Sequence, residues 1–135
     1  MILLDTDVLL DVVLDRRPHA DASSALLDLL ERRPKMAFVA WHTLSNLYHL
    51  VRPTAGDQMA RSFLSDLTAF VTVASAGTDA LRFALALPLS DLEDGMQVAA
   101  ARECGAQYIA TRNVKDFRQS PVPARTPAEL LEELA

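Results

Sequence analysis

Apolar residues follow two rhythms along this chain. Short, nearly continuous apolar runs lie at residues 2–5, Met36–Ala40, Phe70–Ala74 and Gln107–Ala110. Between them are longer segments in which apolar positions recur every three or four residues. The first rhythm marks strands buried on both faces, the second amphipathic helices. Helices are therefore predicted over residues 7–14, 20–32, 42–51, 57–69, 78–87 and 91–103. A fifth strand is read over Val122–Arg125. Pro53 and Pro88 are expected to stop the helices before them, and Gly105 to terminate the helix over 91–103. Thr126-Pro127-Ala128-Glu129 opens a last helix, with a threonine cap, proline in the first turn and glutamate three residues on.

This alternation of strands and helices predicts an α/β fold, a mostly parallel sheet covered by helices on both faces. No repeat, low-complexity tract or linker divides the chain, so residues 1–135 are expected to form one domain. With 50% hydrophobic residues the chain can bury a core without disulfides or structural metal. Cys104 is the single cysteine, which suits a reducing compartment. No basic leader is seen and no apolar run reaches about 20 residues, so the expected location is the cytoplasm, with no membrane anchor.

In open parallel sheets, ligands collect beyond the carboxyl ends of the strands. The polar residues just after the strands are therefore the candidates for chemistry. Asp5, Thr6 and Asp7 come after the first strand. Asn46 lies one turn into the helix after the second. Thr111, Arg112, Asn113 and Asp116 come after the fourth. Asp91, Glu93 and Asp94 open the helix over 91–103. Asp5 ends a central strand, where a carboxylate is partly buried; Asp7 is the better placed of the two to cap the next helix. Ser90-Asp91-Leu92-Glu93 reads as a capping box, which accounts for Ser90 and Glu93, partly for Asp91, and poorly for Asp94. Asp91 and Asp94 share a helix face that continues through Val98 and Ala101.

Several carboxylates at one edge repel one another, by about 4 kcal/mol for a pair about 4 Å apart at an effective dielectric of about 20. Protonation or a bound cation must relieve this. Oxygen ligands alone favour magnesium or manganese, which can activate water and orient a phosphodiester. Asp5, Asp91, Asp94 and Asp116 are the candidate metal ligands and catalytic acids. The net charge of −5, from 13 Lys and Arg against 18 Asp and Glu, is unusual for a nucleic-acid binder. A carboxylate cluster neutralised by a divalent ion accounts for part of it. No phosphate-binding glycine loop or dinucleotide fingerprint is present, and one cysteine with three scattered histidines makes a poor zinc site. His42 and His49 read as surface residues. Trp41, Tyr48 and Phe63 read as core or edge packing rather than platforms for base stacking.

Three stretches together resemble the PIN-domain family, including its VapC-like toxins. These are Leu3-Leu4-Asp5-Thr6-Asp7-Val8-Leu9, then Asp91 to Ala100 with Asp94 at the main position, then Tyr108 to Phe117. The resemblance implies a three-layer α/β/α sandwich, a magnesium or manganese site, and single-stranded RNA as substrate. It also implies a homodimer and a small antitoxin partner. Two positions depart from the family pattern. Asn46 stands where the helix after the second strand commonly carries glutamate, and Asn113 where the closing motif often carries aspartate. An amide offers a carbonyl oxygen or holds a water but brings no charge, so Asp116, Asp91 or both are expected to supply the missing carboxylates. In this reading Asn46, Asn113, Thr6 and Thr111 support the site, and Arg112 and Lys115 are candidate contacts to the RNA backbone, or else solvated surface charges.

Two other readings stay open at this point. Asp5-Thr6-Asp7-Val8 also fits the opening of haloacid-dehalogenase-type phosphatases, with Asp5 as nucleophile and Asp7 as acid/base. The two amides also suit a regulatory or RNA-holding module without catalysis.

Overall fold

The computed structural model describes all of residues 1–135. Five strands, β1 (Ile2–Leu4), β2 (Ala37–Ala40), β3 (Val71–Ala74), β4 (Tyr108–Ala110) and β5 (Ala124–Arg125), form one sheet in the order β3-β2-β1-β4-β5. Every pairing is parallel, with Leu3 opposite Phe38 on one side and Ile109 on the other. Seven α-helices accompany the sheet: α1 (Thr6–Val13), α2 (Ala20–Glu31), α3 (Trp41–Ala55), α4 (Asp57–Leu67), α5 (Thr78–Ala86), α6 (Leu92–Cys104) and α7 (Pro127–Leu134).

Alternation along β1 divides the core. Ile2 and Leu4 pack with Leu9, Leu26, Leu30, Leu47 and Leu130, from α1, α2, α3 and α7. Leu3, between them, faces the other way onto Val98, Ala100 and Ala101 of α6 and Phe117. The result is the expected α/β/α arrangement. Helix α6 lies between the sheet and α5, and small residues allow it. A Cβ on Gly95 would stand 3.1 Å from the Ala84 carbonyl oxygen of α5. A side chain there would press on that carbonyl, which would have to give slightly to admit it.

The strand order fixes where a site can form. The chain builds outward from β1 through β2 to β3, then crosses back to place β4 on the other side of β1. The order therefore reverses between β1 and β4, and a crevice opens beyond their carboxyl ends. The residues immediately after these two strands are Asp5 and Thr111.

Several boundaries differ from the sequence expectation for local reasons. Asp5, not Asp7, caps α1, its Oδ1 accepting from the Thr6 N–H at 2.7 Å. Helix α3 runs through Pro53 to Ala55 and ends at Gly56, whose φ of 92° and N–H bond to the Arg52 carbonyl turn the chain. Proline forfeits only the bond to the carbonyl of His49, an exposed residue, so the last turn persists. The Ser90 capping box does not form. Asp91 caps α6 instead, accepting from the Glu93 N–H at 2.8 Å. The Thr126–Glu129 box does form, in both directions. A 3-10 helix over Val114–Phe117, not foreseen, carries Asp116. No helix is long and apolar enough to cross a membrane.

Candidate active site

Asp5 lies at the centre of the crevice, with only 7% of its surface exposed. Three side-chain or backbone donors hold it. Its Oδ1 accepts from the Thr6 N–H and, at 3.0 Å, from Gln97 Nε2. Its Oδ2 accepts from Thr111 Oγ1 at 2.9 Å. Burial is nonetheless the largest influence on this carboxyl, and the neighbouring charge of Asp7 adds to it, with a smaller push from Asp94. Together they raise its pKa to about 7. A carboxylic acid held near neutrality beside other acids is a group waiting for positive charge.

Asp7 adjoins it from the first turn of α1. Its Oδ2 accepts from the Arg112 N–H at 3.0 Å, from Thr111 Oγ1 at 3.3 Å and from Asn113 Nδ2 at 3.3 Å. Its Oδ1 is buried and has no partner. Burial raises the Asp7 pKa as well.

Asp94 enters from the first turn of α6. Partial burial, then repulsion from Asp91, Asp116, Glu93 and Asp7, raises its pKa to about 6. Asp5 thus feels the charges of Asp7 and Asp94, and Asp94 those of Asp7 and Asp116; Asp116 adjoins the site through Asp94 and is not among the influences on Asp5. Asp116 is exposed on the 3-10 helix. Asp91 is exposed, and its side chain caps α6, so the capping role read from the sequence is the one its hydrogen bond serves.

The supporting residues divide. Thr111 bridges Asp5 and Asp7 and also accepts from the Asn113 N–H at 3.1 Å, which fixes the turn after β4. Thr6 is buried, its hydroxyl 3.4 Å from that of Thr43. Asn113 touches the site through Asp7. Asn46 donates to Glu93 Oε1 at 3.0 Å, joining α3 to the first turn of α6. Arg112 is engaged within the protein: its guanidinium grips Asp11, which is 0% exposed, at 2.5 Å and 3.3 Å. Lys115 is exposed. Trp41 is not packed away as the sequence reading expected but is 72% exposed. It lines, with His42, Leu81 and Met96, an apolar cavity of about 140 Å³ that none of the acids borders. His42 is half-buried rather than superficial, and burial lowers its pKa.

Gln97 and Asp11 escaped the sequence reading, while Thr43 and Glu93 take contacts that it did not foresee. Gln97 is 0% exposed and joins Asp5 to Thr43. Thr43, also buried, anchors the start of α3 to it. Asp11 binds Arg16 as well as Arg112. Glu93, assigned to a cap, turns instead to Asn46. Gln97 had a usable signal. It lies three residues after Asp94, among the alanines and valine of a helix face predicted to be buried.

These residues suit a hard divalent cation by chemistry. The groups at the crevice free to bind a cation are carboxylate, hydroxyl and carbonyl oxygens, and the buried Asp7 Oδ1 has no hydrogen-bond partner. As arranged, no three acids or imidazoles close around a single point. Repulsion among acids is relieved either by protonation or by a cation, and the raised pKa values of Asp5 and Asp94 belong to the first of these.

A family model for the PIN domain matches residues 1–115. The chain belongs to the PIN-domain family. That membership displaces the phosphatase reading of Asp5-Thr6-Asp7, because the PIN match takes in this opening and the stretch from Asp91 to Ala100; it ends at Lys115, just before Asp116. No curated protein sequence matches the chain. Solved structures show the same PIN fold at low identity. VapBC2 from Rickettsia felis, bound to a DNA fragment from its promoter, has a TM-score of 0.72 at 17% identity, covering 93% of this chain and 98% of the other. Mycobacterium tuberculosis VapC20, a toxin that cleaves the sarcin–ricin loop, has a TM-score of 0.70 at 15% identity, covering 86% and 92%. A toxin–antitoxin complex from Klebsiella pneumoniae has a TM-score of 0.70 at 24% identity, covering 94% and 98%.

Proposed function

We propose that this PIN-domain protein is a divalent-metal-dependent endoribonuclease acting on single-stranded RNA, and the toxin of a toxin–antitoxin pair. One observation carries the chemistry: Asp5 and Asp94, far apart in sequence, share a crevice in which burial first, and the charge of neighbouring acids second, holds both carboxyls well above their ordinary range. Family membership supports the class of reaction, and the toxin–antitoxin complexes among the fold neighbours support the partner.

In this reading Asp5, Asp94 and Asp116 hold magnesium or manganese, with Asp91 close by. The ion, when bound, neutralises the acids, lowers the pKa of water and stabilises charge on the phosphate. The protein's own residues do the rest. Thr111, Gln97 and the Thr6 N–H fix the Asp5 carboxylate so that it meets a ligand without reorganising. Asn113 and Asn46 place polar groups at two sides of the crevice, where they orient water or phosphate oxygens. Lys115, on the exposed 3-10 helix beside Asp116, contacts the RNA backbone. A homodimer in the cytoplasm, silenced by a small antitoxin, completes the proposal.

The two amides also fit a second reading, an RNA-holding module without catalysis. Asn46 and Asn113 bring no charge and are spent as donors to Glu93 and Asp7. One experiment separates the two: incubation of labelled single-stranded RNA with the protein and its Asp5→Asn and Asp94→Asn variants, in magnesium, in manganese and in chelator. The nuclease reading expects cutting by the unaltered protein in metal alone and a loss of at least about 100-fold in each variant. RNA that is bound in chelator and never cut selects the second reading. Undiminished metal-dependent cutting by both variants contradicts the assignment of the acids.

A further inference from the structure

We infer that Gln97 is a positioning residue: its amide fixes the Asp5 carboxylate and the start of α3, in exchange for stability of the fold. The inference rests on the proposed metal site and adds a residue to it.

Gln97 projects from the buried face of α6, where its neighbours Val98, Ala100 and Ala101 pack on the sheet. It is among the largest fully buried side chains of the protein and the only polar one of that group. Its Nε2 donates to Asp5 Oδ1 at 3.0 Å and to Thr43 Oγ1 at 2.9 Å. One amide nitrogen thereby ties the end of β1, the first turn of α3 and the face of α6 that carries Asp94. Its Oε1 has no partner at all. A buried carbonyl oxygen without a donor opposes folding, so packing alone does not explain glutamine here.

Nor do its partners need it in order to fold. Without the amide, Asp5 Oδ1 keeps the Thr6 N–H and Thr43 Oγ1 keeps the Thr6 hydroxyl. Methionine has nearly the same shape and no polar atom to strand. Replacing Gln97 by methionine therefore leaves no newly orphaned group and removes an existing one. If the residue only filled the core, the substitution would leave metal binding untouched. If it serves the site, the substitution improves the fold and harms the site. Positions that trade stability for function show this opposition of signs.

Its role matches that of groups that orient a ligand without being one. Such partners typically govern ten- to a hundred-fold in affinity. Gln97 is not itself the charge at the site; it decides which way Asp5 Oδ1 is directed and how closely α6 approaches β1.

The test is a pair of measurements on Gln97→Met, Asp5→Asn and the unaltered protein: manganese affinity by titration calorimetry, and the thermal midpoint in chelator. Gln97→Met is expected to melt at the same temperature or higher and to bind manganese about tenfold more weakly. Thr43→Val, combined with it, is expected to add little further loss, because both act through one hydrogen-bonded unit. Three results overturn the inference. Gln97→Met binding manganese as tightly as the unaltered protein makes Gln97 a packing residue. A lower midpoint together with weaker binding makes the loss one of folding. If Asp5→Asn also binds normally, the metal reading itself fails, and the inference with it; if Asp5→Asn alone loses binding, the metal reading stands and only the role of Gln97 falls.

Discussion

The guanidinium of Arg112 meets the carboxylate of Asp11 at 2.5 Å, and that carboxylate is wholly shielded from solvent. The pair joins α1 to the turn after β4, the same turn whose N–H groups and side chains hold Asp7. Arg112 is therefore a strut of the site and not a free cation offered to a substrate. Arg112→Ala leaves the buried Asp11 with Arg16 alone, at 2.9 Å. It is expected to cost about 2 kcal/mol, below the range for a buried pair broken outright because Arg16 remains. Arg112→Lys keeps the charge and loses the fork, and is expected to cost about 1 kcal/mol. Urea unfolding checks both, and a cost near zero for Arg112→Ala contradicts the strut.

Lys115 makes the contrasting case. It is exposed on the 3-10 helix beside Asp116. Lys115→Ala is expected to leave unfolding unchanged, raise KM for RNA, and lower the salt slope of RNA binding by about one unit. Fluorescence anisotropy across a salt series measures the slope; an unaltered slope removes Lys115 from the interface.

The acids also set how the metal-free fold responds to pH. Asp5 titrates near 7 in the folded chain and near 3.8 when unfolded, so between these values the folded state holds the extra proton. Stability from this group is present at low pH and is lost as pH rises from about 4 towards 7. Asp94, at about 6, and Asp7, also raised, act in the same direction. In chelator the thermal midpoint is therefore expected to fall from pH 5 to pH 8, and Asp5→Asn to flatten the slope. Divalent ions are expected to reverse the trend at high pH, because they bind the ionised acids. A midpoint that rises across this range in chelator contradicts the burial of uncompensated carboxyls.

Asn46 and Glu93 offer a test by addition of charge. They are joined at 3.0 Å across α3 and α6. Asn46→Asp replaces the donor by a second carboxylate facing Glu93. Metal-free stability is expected to fall by about 1 kcal/mol from the repulsion and the lost bond. Manganese affinity is expected to rise, as one more charged oxygen joins the donor set. Calorimetry decides; weaker manganese binding by Asn46→Asp places residue 46 outside the metal's reach.

The parts of this molecule that depend on local pattern were legible in the sequence. β1 to β4 are apolar runs flanked by turn residues, and the box at Thr126 and Glu129 is a local hydrogen-bond pattern that forms as read. The position of Asp5 was legible because it directly follows β1, and that of Asp94 because it heads a helix face that packs on the sheet; Asp116 lies farther past β4, exposed on a 3-10 helix that no apolar rhythm marks. What escaped depends on contacts across the chain. Asp11 looks like an ordinary helix charge until the turn after β4 brings Arg112 to it, 101 residues away. Gln97 looks like one polar residue among alanines until β1 and α3 place Asp5 and Thr43 beside its nitrogen. The shift of the α6 cap from Ser90 to Asp91 is a matter of one residue, decided by which side chain reaches the Glu93 N–H.

The most direct measurement is anomalous diffraction from a crystal soaked in manganese. The account predicts a peak in the crevice beyond β1 and β4, with carboxylate oxygens of Asp5 and Asp94 both bound to it. A manganese peak elsewhere, with these two carboxylates left uncoordinated at saturating metal, would contradict it.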